Sequence, residues 1–157
     1  MNLNKLEEKL NYKFKNITLL KTALTHTSYA YENNVTSNEK LEFLGDSILE
    51  YLSSIYIYNN YPNLKEGEMT KVRATVVCGN SLCNIAQKLN FSDFLYLGKS
   101  EIMSGGAKRP AILEDSVEAV IAAIYLDGGI EESNKFIITN FKNPISEATN
   151  HVGVKDY

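Results

Sequence analysis

The residues of this chain best able to do chemistry are carboxylates in two short stretches. The first is Asn38-Glu39-Lys40-Leu41-Glu42-Phe43-Leu44-Gly45-Asp46-Ser47. A helix turns about 100° per residue, so with Glu39 at zero, Glu42 falls at roughly 300° and Asp46 at roughly 340°. These carboxylates share one narrow stripe. Leu41, Leu44, Ile48, Leu52 and Ile55 gather on the other side as a core face. Nothing basic lies between the acids on their stripe, and like charges at this spacing cost a bare helix about 0.2–0.5 kcal/mol each. The second stretch is Ile112-Leu113-Glu114-Asp115-Ser116-Val117-Glu118-Ala119. Asp115 and Glu118 share a face, while Val117, Val120, Ile121 and Ile124 point away from it. Ala122, one turn beyond Glu118, keeps that line small. If the two helices pack with their carboxylates converging, Glu42, Asp46, Asp115 and Glu118 meet in one pocket. Hard oxygen ligands of this kind suit Mg²⁺ or Mn²⁺ and do not suit zinc. The alternative for each stripe alone is a solvated acidic face. Residue spacing therefore goes no further than a candidate carboxylate–metal site.

The elements that must position these groups come from one domain-sized chain of 157 residues, 44% hydrophobic and 22% charged. No run reaches the roughly 18 apolar residues of a membrane span. The N-terminus has no apolar signal core, so a cytoplasmic protein is expected. Cys78 and Cys83 offer neither zinc spacing nor a disulfide framework, which fits a reducing compartment. His26 and His151 are too far apart in sequence to suggest a histidine-rich site. A formal net charge of −3 excludes nucleic-acid binding by bulk electrostatics. If the chain handles phosphates, something must offset its own charge.

Helical periodicity dominates, and the expected class is all-α, many helices around a single core. Leu3, Leu6, Leu10 and Phe14 suggest a first helix, and Ile17, Leu20, Ala23 and Leu24 a second. Residues 29–37 read as a loop. A long helix is expected from Glu39 to Tyr58, stopped by Tyr61-Pro62-Asn63. Val72, Val76 and Val77 mark the next helix. Gly79-Asn80-Ser81 then breaks or kinks the chain, with Ser81 as a candidate cap. Residues 104–110 read as a flexible basic loop. Helices at 112–126 and 131–141 complete the core, and the tail after Pro144 has little to bury.

Asn38–Leu49 closely resembles the signature of the ribonuclease III family, endonucleases of double-stranded RNA. Ala23-Leu-Thr-His-Thr-Ser28, Glu66-Gly-Glu-Met-Thr-Lys-Val-Arg-Ala74, Gly79-Asn80-Ser81-Leu82, Gly105-Gly106 and Ile112–Ala119 look like further family motifs, in the family's order. Ala123-Ile-Tyr-Leu-Asp-Gly-Gly129 completes the set. The likeness covers about residues 3–141. Glu114 and Lys40 depart from the family's usual small residue and Arg; Glu114 and Glu50 read as surface variation.

The resemblance implies a homodimeric ribonuclease III endonuclease domain over residues 1–144. Residues 145–157 are expected to be a tail or linker toward a double-stranded-RNA-binding domain. It implies that Glu42, Asp46, Asp115 and Glu118 hold catalytic Mg²⁺, with Mn²⁺ as a substitute. Glu39 and Glu66 would be auxiliary acids, and Phe43 would dock into the partner subunit. Bound cations would supply the positive charge the chain lacks. The expected products carry 5′-phosphate and 3′-hydroxyl ends with a short 3′ overhang, from rRNA and other structured RNA. Candidate RNA contacts are Lys71, Arg73, Asn80, Lys108 and Arg109, with the Gly105–Arg109 loop foremost. His26 is expected to cap or pack. No membrane and no organic cofactor is implied. Other carboxylate-rich helical enzymes do not fit: neither histidine has the Glu-x-x-His spacing of a di-iron bundle, and no Asp-Asp-x-x-Asp cluster is present.

Overall fold

The computed structural model describes residues 1–155, with side chains through Val152. The domain is all-α. Its helices are α1 (Leu3–Leu10), α2 (Ile17–Ala23), α3 (Thr27–Asn33), α4 (Glu39–Asn60), α5 (Glu66–Val76), α6 (Gly79–Lys88), α7 (Lys99–Met103), α8 (Pro110–Gly128) and α9 (Ile130–Lys155). Short 3₁₀ turns occupy Phe91–Asp93 and Gly106–Lys108.

The core is built around α8. Pro110 begins it, where the missing N–H costs nothing. Leu113, Val117, Ala119, Val120, Ile121, Ala122, Ala123 and Ile124 are all buried, so this helix is apolar nearly all round. The four helices α2, α4, α6 and α9 pack against it, α4 most extensively. Asp127 ties the end of α8 to the chain's start. It accepts hydrogen bonds from the Tyr12 hydroxyl at 2.5 Å, the Lys15 N–H at 2.8 Å and the Asn16 N–H at 2.9 Å.

The crossing of α4 and α8 is unusually close. A Cβ built on Gly45 would lie 1.7 Å from the Glu118 carbonyl oxygen. A mid-helix glycine costs about 1 kcal/mol of helix propensity relative to alanine. Here that cost accompanies a backbone-to-backbone approach that no side chain permits.

Several expectations from the sequence change. Residues 29–37 are not all loop, because α3 runs to Asn33 and ends on Asn34 in the left-handed region at φ 52°. Phe14 is buried but lies beyond α1, its N–H donating to the Glu7 carboxylate at 2.7 Å. Ile55 is 40% exposed and does not share the core face of α4. Ser81 lies inside α6 with its hydroxyl buried and unbonded, so it is no cap. The helix expected at 131–141 runs on through Pro144 to Lys155, and Ile145 and Ala148 are buried. The apolar spacing of Phe141, Ile145 and Ala148 continues across the proline, which explains why the chain does not leave the core there.

Gly45→Ala should cost at least about 1–3 kcal/mol in denaturant unfolding, as overpacking does. Gly67→Ala on α5, where a Cβ meets nothing within 4 Å, should be neutral or stabilising by up to about 1 kcal/mol. Equal effects would contradict the close crossing.

Candidate metal centre

The crossing brings the two acidic stripes together. Glu42 from α4 and Asp115 and Glu118 from α8 each place a carboxylate oxygen within 4.8 Å of the others. Asp46, one turn along α4 from Glu42, joins them through a hydrogen bond to Glu118. Glu118 is buried at 9% exposure, Glu42 and Asp115 are half-buried, and Asp46 is exposed. The cluster therefore has a closed floor and an open mouth.

The electrostatics follow from this packing. Burial pushes the Glu118 carboxyl up to about 9, helped by its hydrogen bond to Asp46 and by the charges of Asp46, Glu42 and Asp115. Burial likewise lifts Glu42 to about 7, with the charge and hydrogen bond of Asp115 and the charges of Glu39 and Asp46 adding. Asp115 is raised by burial, against the opposing effects of its bond to Glu42 and the charge of His26. The contact with Asp115 favours the protonated form of Glu42, and the contact with Asp46 favours the protonated form of Glu118. Among the described residues, no lysine or arginine is a cause of these shifts. Hard, crowded carboxylate oxygens with no lysine or arginine among them are the donor set of a divalent cation such as Mg²⁺ or Mn²⁺.

The other residues singled out in the sequence are dispersed. Glu39 stands exposed beside the cluster and accepts from the Ser37 hydroxyl at 3.1 Å. Glu66 stands outside the group of close carboxylates, on a groove of about 260 Å³ with Tyr58, Met69 and Arg73. Phe43 is 79% exposed. Lys71, Asn80 and Lys108 are exposed. Arg73 is engaged with α4 instead, 3.6 Å from Glu50 and donating to the Ser54 hydroxyl at 3.1 Å. Arg109 pairs with Glu101, and its segment is folded into a 3₁₀ turn rather than left as a free loop. Glu50 and Glu114 are thus more than surface variation. Glu50 pairs with Arg73, and the Glu114 carboxylate lies against Gly79 at the start of α6, where a helix favours negative charge.

Two positioning features were not read from the sequence. Gly45 was visible only as a helix-interior glycine, a signal that asks for a packing reason. Asn38 looks like a helix cap but makes no cap bond. Its side chain donates instead to the Ala23 carbonyl at 3.1 Å and its N–H to the Thr25 carbonyl at 2.9 Å. These bonds moor the start of α4 to the segment carrying His26.

Comparison with known proteins agrees with this architecture. A family model described as Ribonuclease-III-like matches residues 16–145. The ribonuclease 3 of Caldanaerobacter subterraneus subsp. tengcongensis is 48% identical over 157 residues, spanning 99% of this chain and 69% of that protein. The chain belongs to the ribonuclease III family. Ribonuclease 3 of Clostridium perfringens is 46% identical over 158 residues, covering 100% of this chain and 67% of the relative. The crystallised nuclease domain of ribonuclease III from Campylobacter jejuni superposes with a TM-score of 0.83 at 39% identity, over 90% of this chain and 99% of that one. That structure is described for flexibility in a region involved in dimer formation. As a ribonuclease III domain the chain is an endoribonuclease of double-stranded RNA, and the family's chemistry depends on divalent metal.

The raised carboxyls carry a linkage consequence. Without divalent cations the folded state keeps protons on Glu42 and Glu118 that the unfolded chain releases near pH 4.5. The folded state then binds more protons, so stability falls as pH rises from about 4.5 to about 9. Thermal unfolding in EDTA should show a midpoint that drops across this window and drops less in Glu118→Gln. A midpoint that rises equally in both proteins would contradict the buried cluster.

Proposed function

We propose that this ribonuclease III domain hydrolyses phosphodiester bonds of double-stranded RNA with Mg²⁺ held by Glu42, Asp46, Asp115 and Glu118. Mn²⁺ is the expected substitute. The observation that supports this most directly is the convergence of carboxylates from two helices around a buried Glu118. When bound, the divalent cation supplies Lewis-acid charge at the phosphate, at the attacking water and at the leaving oxygen. The residues of the chain do the rest. Glu118, fixed by its own backbone against Gly45, forms the floor and fixes depth. Glu42 and Asp115 form the wall. Asp46 and the auxiliary Glu39 stand at the open mouth, where an RNA strand can approach. These charges would repel phosphate, and a cation held among them would offset that repulsion. Glu66 is a more distant auxiliary acid.

Double-stranded RNA is recognised by shape, phosphates and 2′-hydroxyls. Lys71, Asn80 and Lys108 are free to make such contacts, whereas Arg73 and Arg109 would first exchange Glu50 and Glu101 for phosphate. Phe43 belongs to an exposed apolar stripe with Tyr51, Ile55 and Tyr58 along α4, which favours a protein partner. We assign that stripe to a two-fold homodimer with Phe43 docked into the partner, which duplicates the site. Each site then cuts one strand, leaving 5′-phosphate and 3′-hydroxyl ends with a short 3′ overhang. The substrates are rRNA precursors and other structured RNA in the cytoplasm. Among the described residues, no helix is long and apolar enough to cross a membrane.

Glu118→Gln keeps the volume and removes the charge. Cleavage of a long RNA duplex in Mg²⁺ should fall by about 10²–10³-fold or more, the scale of removing one preorganised charge. Folding and duplex binding should survive. Near-normal turnover by this variant would sink the assignment.

A further inference from the structure

We infer that the groove between α6 and α9 is a second RNA subsite, in which asparagine amides hold the ribose hydroxyls and phosphate oxygens of a substrate strand beyond the metal centre. The inference rests on the reading of the carboxylate cluster as the cleavage centre.

The groove has a volume of about 390 Å³, and its two walls are rows of polar side chains. On α6 the row is Asn80, Asn84 and Lys88, four residues apart and so on one face of the helix. At 1.5 Å per residue that row is roughly 12 Å long. On α9 the row is Asn140, Asn143, Glu147 and His151, at spacings of three and four. Among the described residues, the side chains of Asn80, Asn84 and Asn143 are exposed and find no hydrogen-bond partner. Asn140 is engaged, donating to the Phe136 carbonyl at 2.8 Å. The Ser81 hydroxyl lines the same groove, buried and without a partner.

The unpaired asparagines do little for the helices that carry them. Asparagine is a weak helix former, because its side chain competes for nearby backbone groups. An amide presents both donors and an acceptor. A ribose 2′-hydroxyl also donates and accepts, and a phosphate oxygen accepts, so a row of amides matches an RNA backbone without needing charge. That suits a chain of net charge −3 in which Arg73 and Arg109 are already paired. Lys88 closes the α6 row with one exposed cation.

The position of the groove decides the occupant. Asn80 follows Gly79, and Gly79 lies so close to the Glu114 carboxylate that a Cβ would clash with it. Glu114 is the chain neighbour of Asp115, one of the carboxylates of the centre. The groove therefore opens beside the centre at its Asn80 end. A strand whose phosphate sits at the cluster can continue over the start of α6 into the amide row. Duplex RNA displays its 2′-hydroxyls in a wide, shallow minor groove, open to such side chains.

The test removes the amides and leaves the carboxylates of α4 and Asp115 in place. Asn84→Ala and Asn143→Ala are combined, and binding of a long RNA duplex is measured across a range of salt in the Glu118→Gln background, which keeps the duplex intact. Affinity should fall about fivefold or more, the scale of two neutral hydrogen bonds. The salt dependence should keep its slope because no charge is lost, and the unfolding midpoint should not move because both side chains are exposed. Lys88→Ala should instead reduce the salt slope by about one. With Glu118 restored, the alanine pair should raise the KM for duplex cleavage by a similar factor. Asn84→Asp with Asn143→Asp keeps the shape, adds two negative charges and should weaken binding further. Parental duplex affinity in the alanine pair overturns the inference and leaves the reading of the centre intact. A loss in the alanine pair that the aspartate pair does not share marks a structural effect and also overturns it. No duplex binding by the Glu118→Gln protein itself overturns both readings.

Discussion

Two helices of this domain meet where the Glu118 carbonyl lies against a helix position that has no side chain, Gly45. The spacing of the acidic residues only matters because of that approach. With ordinary side chains at the crossing, α4 and α8 would sit farther apart, and carboxylates one turn along each helix could not reach a common point. The apolar surround of α8 and the small Ala119 and Ala122 beside Glu118 let the helices settle this deeply. Asn38 fixes where α4 begins, and Asp127 fixes where α8 ends. The remaining helices form the frame that keeps this crossing from relaxing.

Depth has an electrostatic cost, and that cost is also the function. Acids that would be ionised in water are crowded and partly desolvated, so protons are retained on Glu42 beside Asp115 and on Glu118 beside Asp46. A divalent cation can replace those protons and relieve the repulsion. On the proposed reading, a chain with a net charge of −3 can address a polyanion, because a cation held by these carboxylates would bring positive charge to the phosphate. The basic residues are arranged less generously. Arg73 and Arg109 are spent on holding α5 to α4 and the α7 turn to the start of α8.

Much of this was legible in the sequence because helical periodicity is a local property. The stripes of Glu39, Glu42 and Asp46 and of Asp115 and Glu118 follow from counting residues, and so does the buried face of α8. What needed the fold was everything set by contacts distant in sequence. Ile55 satisfies the period of a core residue, yet it is left 40% exposed in the single chain. Arg109 looks like a free phosphate ligand until Glu101 is seen beside it. Pro144 reads as a helix stop, yet the apolar residues that follow it keep α9 on the core. Gly45 and Asn38 were present as letters of a motif, but their purpose lies in a carbonyl 73 residues away and in a backbone turn 13 residues before.

The central claim is that the α4–α8 crossing builds a divalent-cation site. Anomalous scattering from crystals soaked in Mn²⁺ tests it without reference to activity. The account requires a Mn²⁺ peak among the carboxylates of Glu42, Asp115 and Glu118, within reach of Asp46. A well-ordered cluster with no anomalous peak at saturating Mn²⁺, or peaks only at other surface acids, would contradict it.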